Sequence, residues 1–164
     1  MLLDSTAPSP GPDLPSIGSD TVFGHVAALV PAVAHLGAGR LIAQGSYGSL
    51  PPGVRDAARA NASSARNLAS FIDEFVVADR SMKQAAALTS LDGKPLIVLT
   101  ADTGNAPGWE QKQEQMAGLS TNSLHRVAEV TPHDSMVSDE ADSAAASQAI
   151  NDVVEAVRTA RPLR

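Results

Sequence analysis

One short apolar run limits the folds open to this chain more than any other feature. The segment 94–102, KPLIVLTAD, is uninterrupted and rich in branched side chains, with Gly93 before it and Gly104 after it. A run this short and this apolar is typical of a strand buried on both faces, and such strands occur mainly in parallel sheets covered by helices. The sequence therefore predicts an α/β protein.

The elements around this strand alternate in type. Leu96–Ala101 is the predicted strand, a helix begins near Trp109, and His125–Val130 forms a second strand. Residues 1–3, Met-Leu-Leu, read as the end of a further buried strand, and a final helix begins near Ser138. Strands that alternate with helices favour a parallel sheet with helices on its faces.

The final helix carries two recognisable patterns. Three acidic residues, Asp139, Glu140 and Asp142, fall in its predicted first turn, where they would meet the positive end of the helix dipole. Four apolar residues lie on one side of it, namely Ile150, Val153, Val154 and Val157. We therefore predict an amphipathic terminal helix.

The residues before Gly93 are predicted to be mostly helical. A loop rich in proline and glycine, 5–19, precedes an amphipathic helix over 22–36. A helix begins near Val54, and a stronger one follows. The apolar face of that stronger helix comprises Leu68, Phe71, Ile72, Phe75 and Val76. A short helix, SMKQAAAL, completes this block.

Composition restricts the function classes. A net charge of −6 and scattered Lys and Arg argue against a nucleic-acid partner. The chain has no cysteine, which excludes disulfides and thiolate metal sites and is compatible with a reducing cytoplasm, where we expect the protein. The first residues show no signal-peptide pattern. The longest apolar stretch, 22–43, carries His25, Pro31, His35 and Arg40, so we predict no membrane span.

The residues also resemble a known family. Segment 94–162 is similar to the end of an α/β-hydrolase, and residues 1–8, MLLDSTAP, resemble the sixth strand of that fold and the loop after it. The resemblance implies a strand-six stub at 1–4, a helical cap and following helix at 5–93, and a C-terminal α/β half at 94–164. Strands seven and eight of the family would then correspond to the predicted strands Leu96–Ala101 and His125–Val130.

The resemblance implies a catalytic base and two candidate acids. His133, in the turn after the last predicted strand, matches the catalytic histidine of the family, and histidine exchanges protons near neutral pH. The family places its acid after strand six or strand seven, which correspond to Asp4 and Asp102. Asp4 is slightly favoured because it follows its strand directly, whereas Asp102 could instead cap the loop before Trp109. We interpret Trp109 as a packing anchor and His125 as a residue that opens a strand.

The serine nucleophile of the family has no convincing counterpart. Family members attack with a serine in a Gly-x-Ser-x-Gly elbow between a strand and a helix. The segment 44–49, QGSYGS, places Ser46 between glycines, but Gln44 replaces the first glycine and Pro51-Pro52 follow where a helix should begin. We therefore expect the truncated C-terminal part of a hydrolase for an ester or related small molecule, inactive alone.

An alternative function belongs to another class. The chain could be a non-catalytic module that completes its sheet with a separate N-terminal half or with a second copy of itself. No residue spacing predicts a cofactor or a metal site, so none is expected.

Overall fold

The computed structural model describes residues 1–8, 29, 32, 40, 45 and 47–164, without the side chains of 75, 76 and 79. It divides into two compact units, one formed by Met1–Ala7 with Leu88–Arg164 and the other by Pro8–Ala87. The predicted helix at 22–36 lies outside the described residues except for residues 29 and 32, and His25, His35 and Ser46 lie outside them as well. None of the described helices is both long enough and apolar enough to cross a bilayer.

The first unit contains a parallel sheet. Its described strands are β1 (Leu2–Leu3), β2 (Leu96–Thr103) and β3 (Ser123–Pro132), in the spatial order β1-β2-β3. Leu2 lies opposite Val98 and Leu96 opposite Ser123, both in parallel register. The carboxyl ends of all three strands therefore meet at one edge of the sheet. The α/β class predicted from the sequence is confirmed at this level.

Helices cover both faces of β2, because its side chains alternate between the faces and are apolar on both. On one face, Ile97 and Leu99 pack with Met136, which lies in the short helix α4 (Ser135–Ser138), and with alanines of α5 (Ser143–Thr159). On the opposite face, Leu96 and Val98 pack with Met116 and Ala117 of α3 (Trp109–Ala117). The buried run that the sequence predicted is the centre of both clusters.

The terminal helix begins later than predicted. It starts at Ser143 rather than near Ser138, so the three acidic residues precede its first helical residue. The Asp139 carboxylate accepts hydrogen bonds from the backbone N–H groups of Ala141 and Asp142, at 2.9 and 3.3 Å. A side chain that binds nearby backbone donors in this way holds a turn and competes with helix formation.

The buried side of α5 also differs from the apolar side predicted from its isoleucine and valines. The buried residues are Ala146, Ala149 and Ala156, with Val153 half-buried. Ile150, Val154 and Val157 are exposed. Small side chains allow the helix to approach the sheet closely, and this is why the alanine face packs inward.

An ion pair joins α5 to β3. Arg126 Nη1 donates to Asp152 Oδ2 at 2.5 Å, and Gln148 Nε2 donates to Asp152 Oδ1 at 2.7 Å. The hydrogen bond from Arg126, supported by that from Gln148, lowers the pKa of Asp152 below its ordinary value. Part of the attachment of α5 to the sheet is therefore electrostatic.

The lowered pKa predicts a pH-dependent stability. A carboxyl group whose pKa is lower in the folded state stabilises the fold above its unfolded-state pKa, and this contribution disappears as the pH falls through the folded-state value. We expect Asp152→Asn to lower the thermal midpoint at neutral pH, and the difference from the parent chain to shrink as the pH falls below the unfolded-state pKa of aspartate, about 3.9. Glu155→Gln, an exposed position on the same helix, is the matched control and should show no such convergence. A pH-independent difference for Asp152→Asn would contradict the prediction.

The second unit contains the helices α1 (Pro52–Ala62) and α2 (Ala65–Ala86). Ser64 caps α2, with its side chain accepting from the Asn67 backbone N–H at 3.2 Å. Two separate helices were predicted across the range of α2, but the structure shows one. The residues between them, 77–80, include no Gly or Pro, so nothing interrupts the helix.

Candidate functional site

Asp4 lies at the carboxyl end of β1. Its backbone N–H donates to the Leu99 carbonyl at 2.6 Å, which continues the pairing with β2 by one residue. Its φ of 39° is in the left-handed region, where aspartate is tolerated better than most residues. This turn of the backbone follows directly on the last residue of the strand.

The Asp4 carboxylate is buried and has a partner on each oxygen. Only 1% of the residue is exposed. Oδ2 lies 2.7 Å from Nδ1 of His133, and Oδ1 accepts a hydrogen bond from Nε1 of Trp109 at 2.7 Å. The two contacts compensate for the burial of a group that would otherwise be costly to remove from water.

His133 is exposed, in contrast to its partner. Its side chain retains 68% of its accessible surface, and its Nε2 makes no hydrogen bond to any described residue. The imidazole therefore has one nitrogen held by a buried carboxylate and one that remains available for another molecule. A general base requires this arrangement, in which one ring nitrogen is held in place and the other can accept a proton.

A local distortion of the sheet precedes His133. The register of β2 with β3 shifts between Ala101 and Thr103, and Val130 has a φ of 55°. Asp102 Oδ1 accepts a hydrogen bond from the Thr131 backbone N–H at 2.9 Å. Asp102 thus ties the distorted end of β3 to the end of β2.

The structure separates the two candidate acids. Asp4 is hydrogen bonded to His133, whereas Asp102 binds the backbone of Thr131. None of the described hydrogen bonds joins Asp102 to the loop before Trp109, which was the other role considered for it. Asp4 and His133 meet because they follow parallel strands that flank β2, at the edge where ligands of open α/β sheets bind.

Helix α3 supplies hydrogen-bond donors to Asp4 and Ser5 that the sequence alone did not reveal. It begins after Gly108, whose φ of 80° is readily adopted by glycine, and Trp109 is its first residue. One turn later, the fully buried Gln113 donates from Nε2 to the Ser5 carbonyl at 2.8 Å. Trp109 is therefore a hydrogen-bond donor to the candidate acid as well as a packing residue. Its position at the start of a helix after a strand was the only available sequence signal.

A cavity lies next to this cluster but does not contain it. It has a volume of about 410 Å³ and its lining includes Thr100, Asp102, Asn105, Trp109 and Val127. Neither Asp4 nor His133 lines it, and Trp109 is the element that the two places share. A molecule bound at His133 would therefore be lined by residues other than those of this cavity.

A second imidazole is held between the sheet and α3. His125 Nε2 lies 2.8 Å from the Thr100 hydroxyl, and His125 Nδ1 lies 2.6 Å from Glu114 Oε2. His125 is the third residue of β3 rather than the residue that opens it. Because Thr100 is buried on the sheet, we interpret this cluster as the polar connection of α3 to the two strands.

The connection predicts a measurable loss of stability. Thr100→Val keeps the shape of the side chain and leaves His125 Nε2 without its partner, so we expect a decrease of about 1–3 kcal/mol in the free energy of unfolding. Urea denaturation followed by circular dichroism measures it. Thr103→Val, the same change at the last residue of β2, is the control and should cost clearly less. Equal effects of the two changes would contradict the assigned role.

Among the described residues, no group of three or more His, Asp or Glu side chains is arranged to hold a metal ion. Comparison with known proteins finds no matching family model, no matching curated protein and no matching solved structure.

Proposed function

We propose that the chain is the C-terminal part of an α/β-hydrolase fold and that Asp4 and His133 are its catalytic acid and base. The observation that carries the proposal is the 2.7 Å contact between a buried carboxylate and an exposed imidazole at the carboxyl ends of β1 and β3. The attacking serine would belong to a segment that joins this sheet, from the same protein or from a partner chain. The chain alone would not hydrolyse the substrate.

The proposed reaction is acyl transfer from an ester. The serine hydroxyl attacks the acyl carbon while His133 Nε2 takes its proton, and the ester C–O bond breaks as the imidazolium returns this proton to the departing alcohol. Water then attacks the acyl-serine, giving its proton to Nε2, and the proton passes to the serine oxygen as the acid is released. Asp4 stays ionised throughout and stabilises the imidazolium.

The exposure of His133 supports its role in proton transfer and the separate, stabilising role of Asp4. Nδ1 faces the carboxylate, so only Nε2 can exchange a proton with a nucleophile. Asp4 cannot contact the substrate in place of His133, because only 1% of its surface is exposed and both of its carboxylate oxygens are engaged. We assign the substrate class only as an ester or a related small acyl or alkyl compound.

The test requires the chain joined to a strand–Gly-x-Ser-x-Gly–helix segment. Such a segment would be fused before Met1 or co-expressed, and hydrolysis of p-nitrophenyl acetate would be measured. We expect activity that depends on the elbow serine and is lost with His133→Ala. His125→Ala is the matched control, since His125 contacts Thr100 and Glu114 instead of Asp4. Activity that survives His133→Ala would overturn the proposal.

One observation favours a second candidate function, a non-catalytic module that completes its sheet with a partner. Among the described residues, β1 has only two residues and pairs with β2 on one side, so its other side presents unpaired backbone groups. A separate N-terminal half or a second copy would satisfy them. Size-exclusion chromatography with hydrogen exchange distinguishes the cases: association with protection of Leu2 and Leu3 supports the module, and an unprotected monomer contradicts it.

A further inference from the structure

We propose that Trp109 is a positioning residue that determines which nitrogen of His133 carries the proton. The inference rests on the proposed function, in which Nε2 must accept a proton from the nucleophile. Trp109 does not contact His133 in any described hydrogen bond; it acts through Asp4. The indole and the imidazole bind different oxygens of the same buried carboxylate.

The hydrogen-bond inventory of the three side chains fixes the directions. An indole N–H can only donate, and an ionised carboxylate can only accept. Oδ1 of Asp4 is occupied by the Trp109 N–H, which leaves Oδ2 directed at His133. A neutral imidazole has one N–H, and the contact at Oδ2 requires it on Nδ1. Nε2 then carries the lone pair that a general base needs.

Helix α3 holds the indole and the chain around Asp4 together. Trp109 binds the Asp4 side chain, and Gln113, one turn later, binds the carbonyl of the next residue, Ser5. The carboxylate therefore cannot rotate freely without losing the indole contact. Without the indole N–H, the Asp4 side chain could turn its carboxylate away from Nδ1 of His133. The imidazole could then turn toward water, where the Nε2–H tautomer is preferred.

The same hydrogen-bond directions predict that Asp4→Asn reverses the tautomer of His133. The Trp109 N–H needs an acceptor, so the Asn oxygen should take the place of Oδ1. The amide NH₂ would then face Nδ1 of His133, which must become an acceptor. The proton would move to Nε2, the tautomer that cannot act as base, as happens when the aspartate of a serine-protease triad is replaced by asparagine.

The experiment uses the full chain labelled with ¹⁵N and no substrate. The ¹⁵N shifts of both His133 ring nitrogens are measured at about pH 8.5, where an ordinary histidine is neutral. We expect the Nδ1–H tautomer in the parent chain, a shift toward Nε2–H in Trp109→Phe, and the Nε2–H tautomer in Asp4→Asn. Met116→Leu, which alters the packing of α3 but none of the Asp4 contacts, should keep the parent tautomer.

The outcomes separate this inference from the proposed function. If Asp4→Asn reverses the tautomer and Trp109→Phe leaves it unchanged, Trp109 has no positioning role, and the acid–base pair stands. If neither variant changes the tautomer, the Asp4–His133 contact does not exist in solution, and both ideas fail.

A second measurement applies if Trp109→Phe does not fold. The chain contains a single tryptophan, so one indole N–H resonance reports on this contact. We expect that resonance to exchange slowly with solvent in the parent chain and to shift in Asp4→Asn. Rapid, water-like exchange in the folded parent chain would overturn the inference.

Discussion

Under the proposed hydrolase function, replacing Asp4 by asparagine in the chain fused to a Gly-x-Ser-x-Gly segment is expected to lower kcat/KM for ester hydrolysis by about 10⁴-fold. The reason is the loss of a fixed, negatively charged partner for His133, which both orients the ring and stabilises the imidazolium. Steady-state kinetics with p-nitrophenyl acetate measures the effect, and most of the loss should appear in kcat. Substrate binding should change little, since the Asp4 carboxylate is buried.

Asp102→Asn is the matched control for this prediction. Asp102 follows the neighbouring strand and binds only the Thr131 backbone N–H in the described hydrogen bonds. We expect its replacement to reduce the thermal midpoint slightly and to leave kcat/KM within about tenfold of the parent value, since a backbone tie at the end of β3 can shift His133 only modestly. A larger kinetic loss for Asp102→Asn than for Asp4→Asn would reverse the assignment of the acid.

Removing the side chain of Ile97 is expected to cost about 2–5 kcal/mol of unfolding free energy. Ile97 has no exposed surface and packs in the cluster that joins β2 to α4 and α5. Ile97→Ala would leave a cavity that the strand, hydrogen bonded on both sides, cannot close by moving. Equilibrium unfolding in urea gives the value.

Ile150→Ala supplies the comparison, with the same change of side chain on the exposed side of α5. Ile150 is 49% exposed, so we expect a loss of less than about 1 kcal/mol. Similar losses at the two positions would mean that the inward face of α5 is not the alanine face, which would contradict the packing described for this helix.

The sequence predicted the sheet well because the signal for β2 does not depend on distant contacts. A continuous apolar run between glycines leaves few alternatives, and the parallel arrangement follows from the helix between the strands. The meeting of Asp4 with His133 then follows from topology, since both residues come directly after parallel strands.

Other features depend on contacts that a sequence pattern does not contain. The late start of α5 depends on one Asp139 oxygen binding two backbone donors, and its buried face depends on how closely alanine allows a helix to approach a sheet. The donor role of Trp109 depends on a partner 105 positions away. No pattern within a helix-length window records such a distance.

The left-handed backbone of Val130 has a consequence for any attempt to make this protein more heat-resistant. A valine is poorly suited to φ of 55°, and this residue is 80% exposed, so packing does not compensate for the conformation. Glycine there would relieve the strain, and selection for melting temperature alone would favour it. The same backbone freedom would loosen the few residues between the end of β3 and His133. The variants with the highest melting temperature are therefore the ones in which the orientation of the His133 ring is least well fixed.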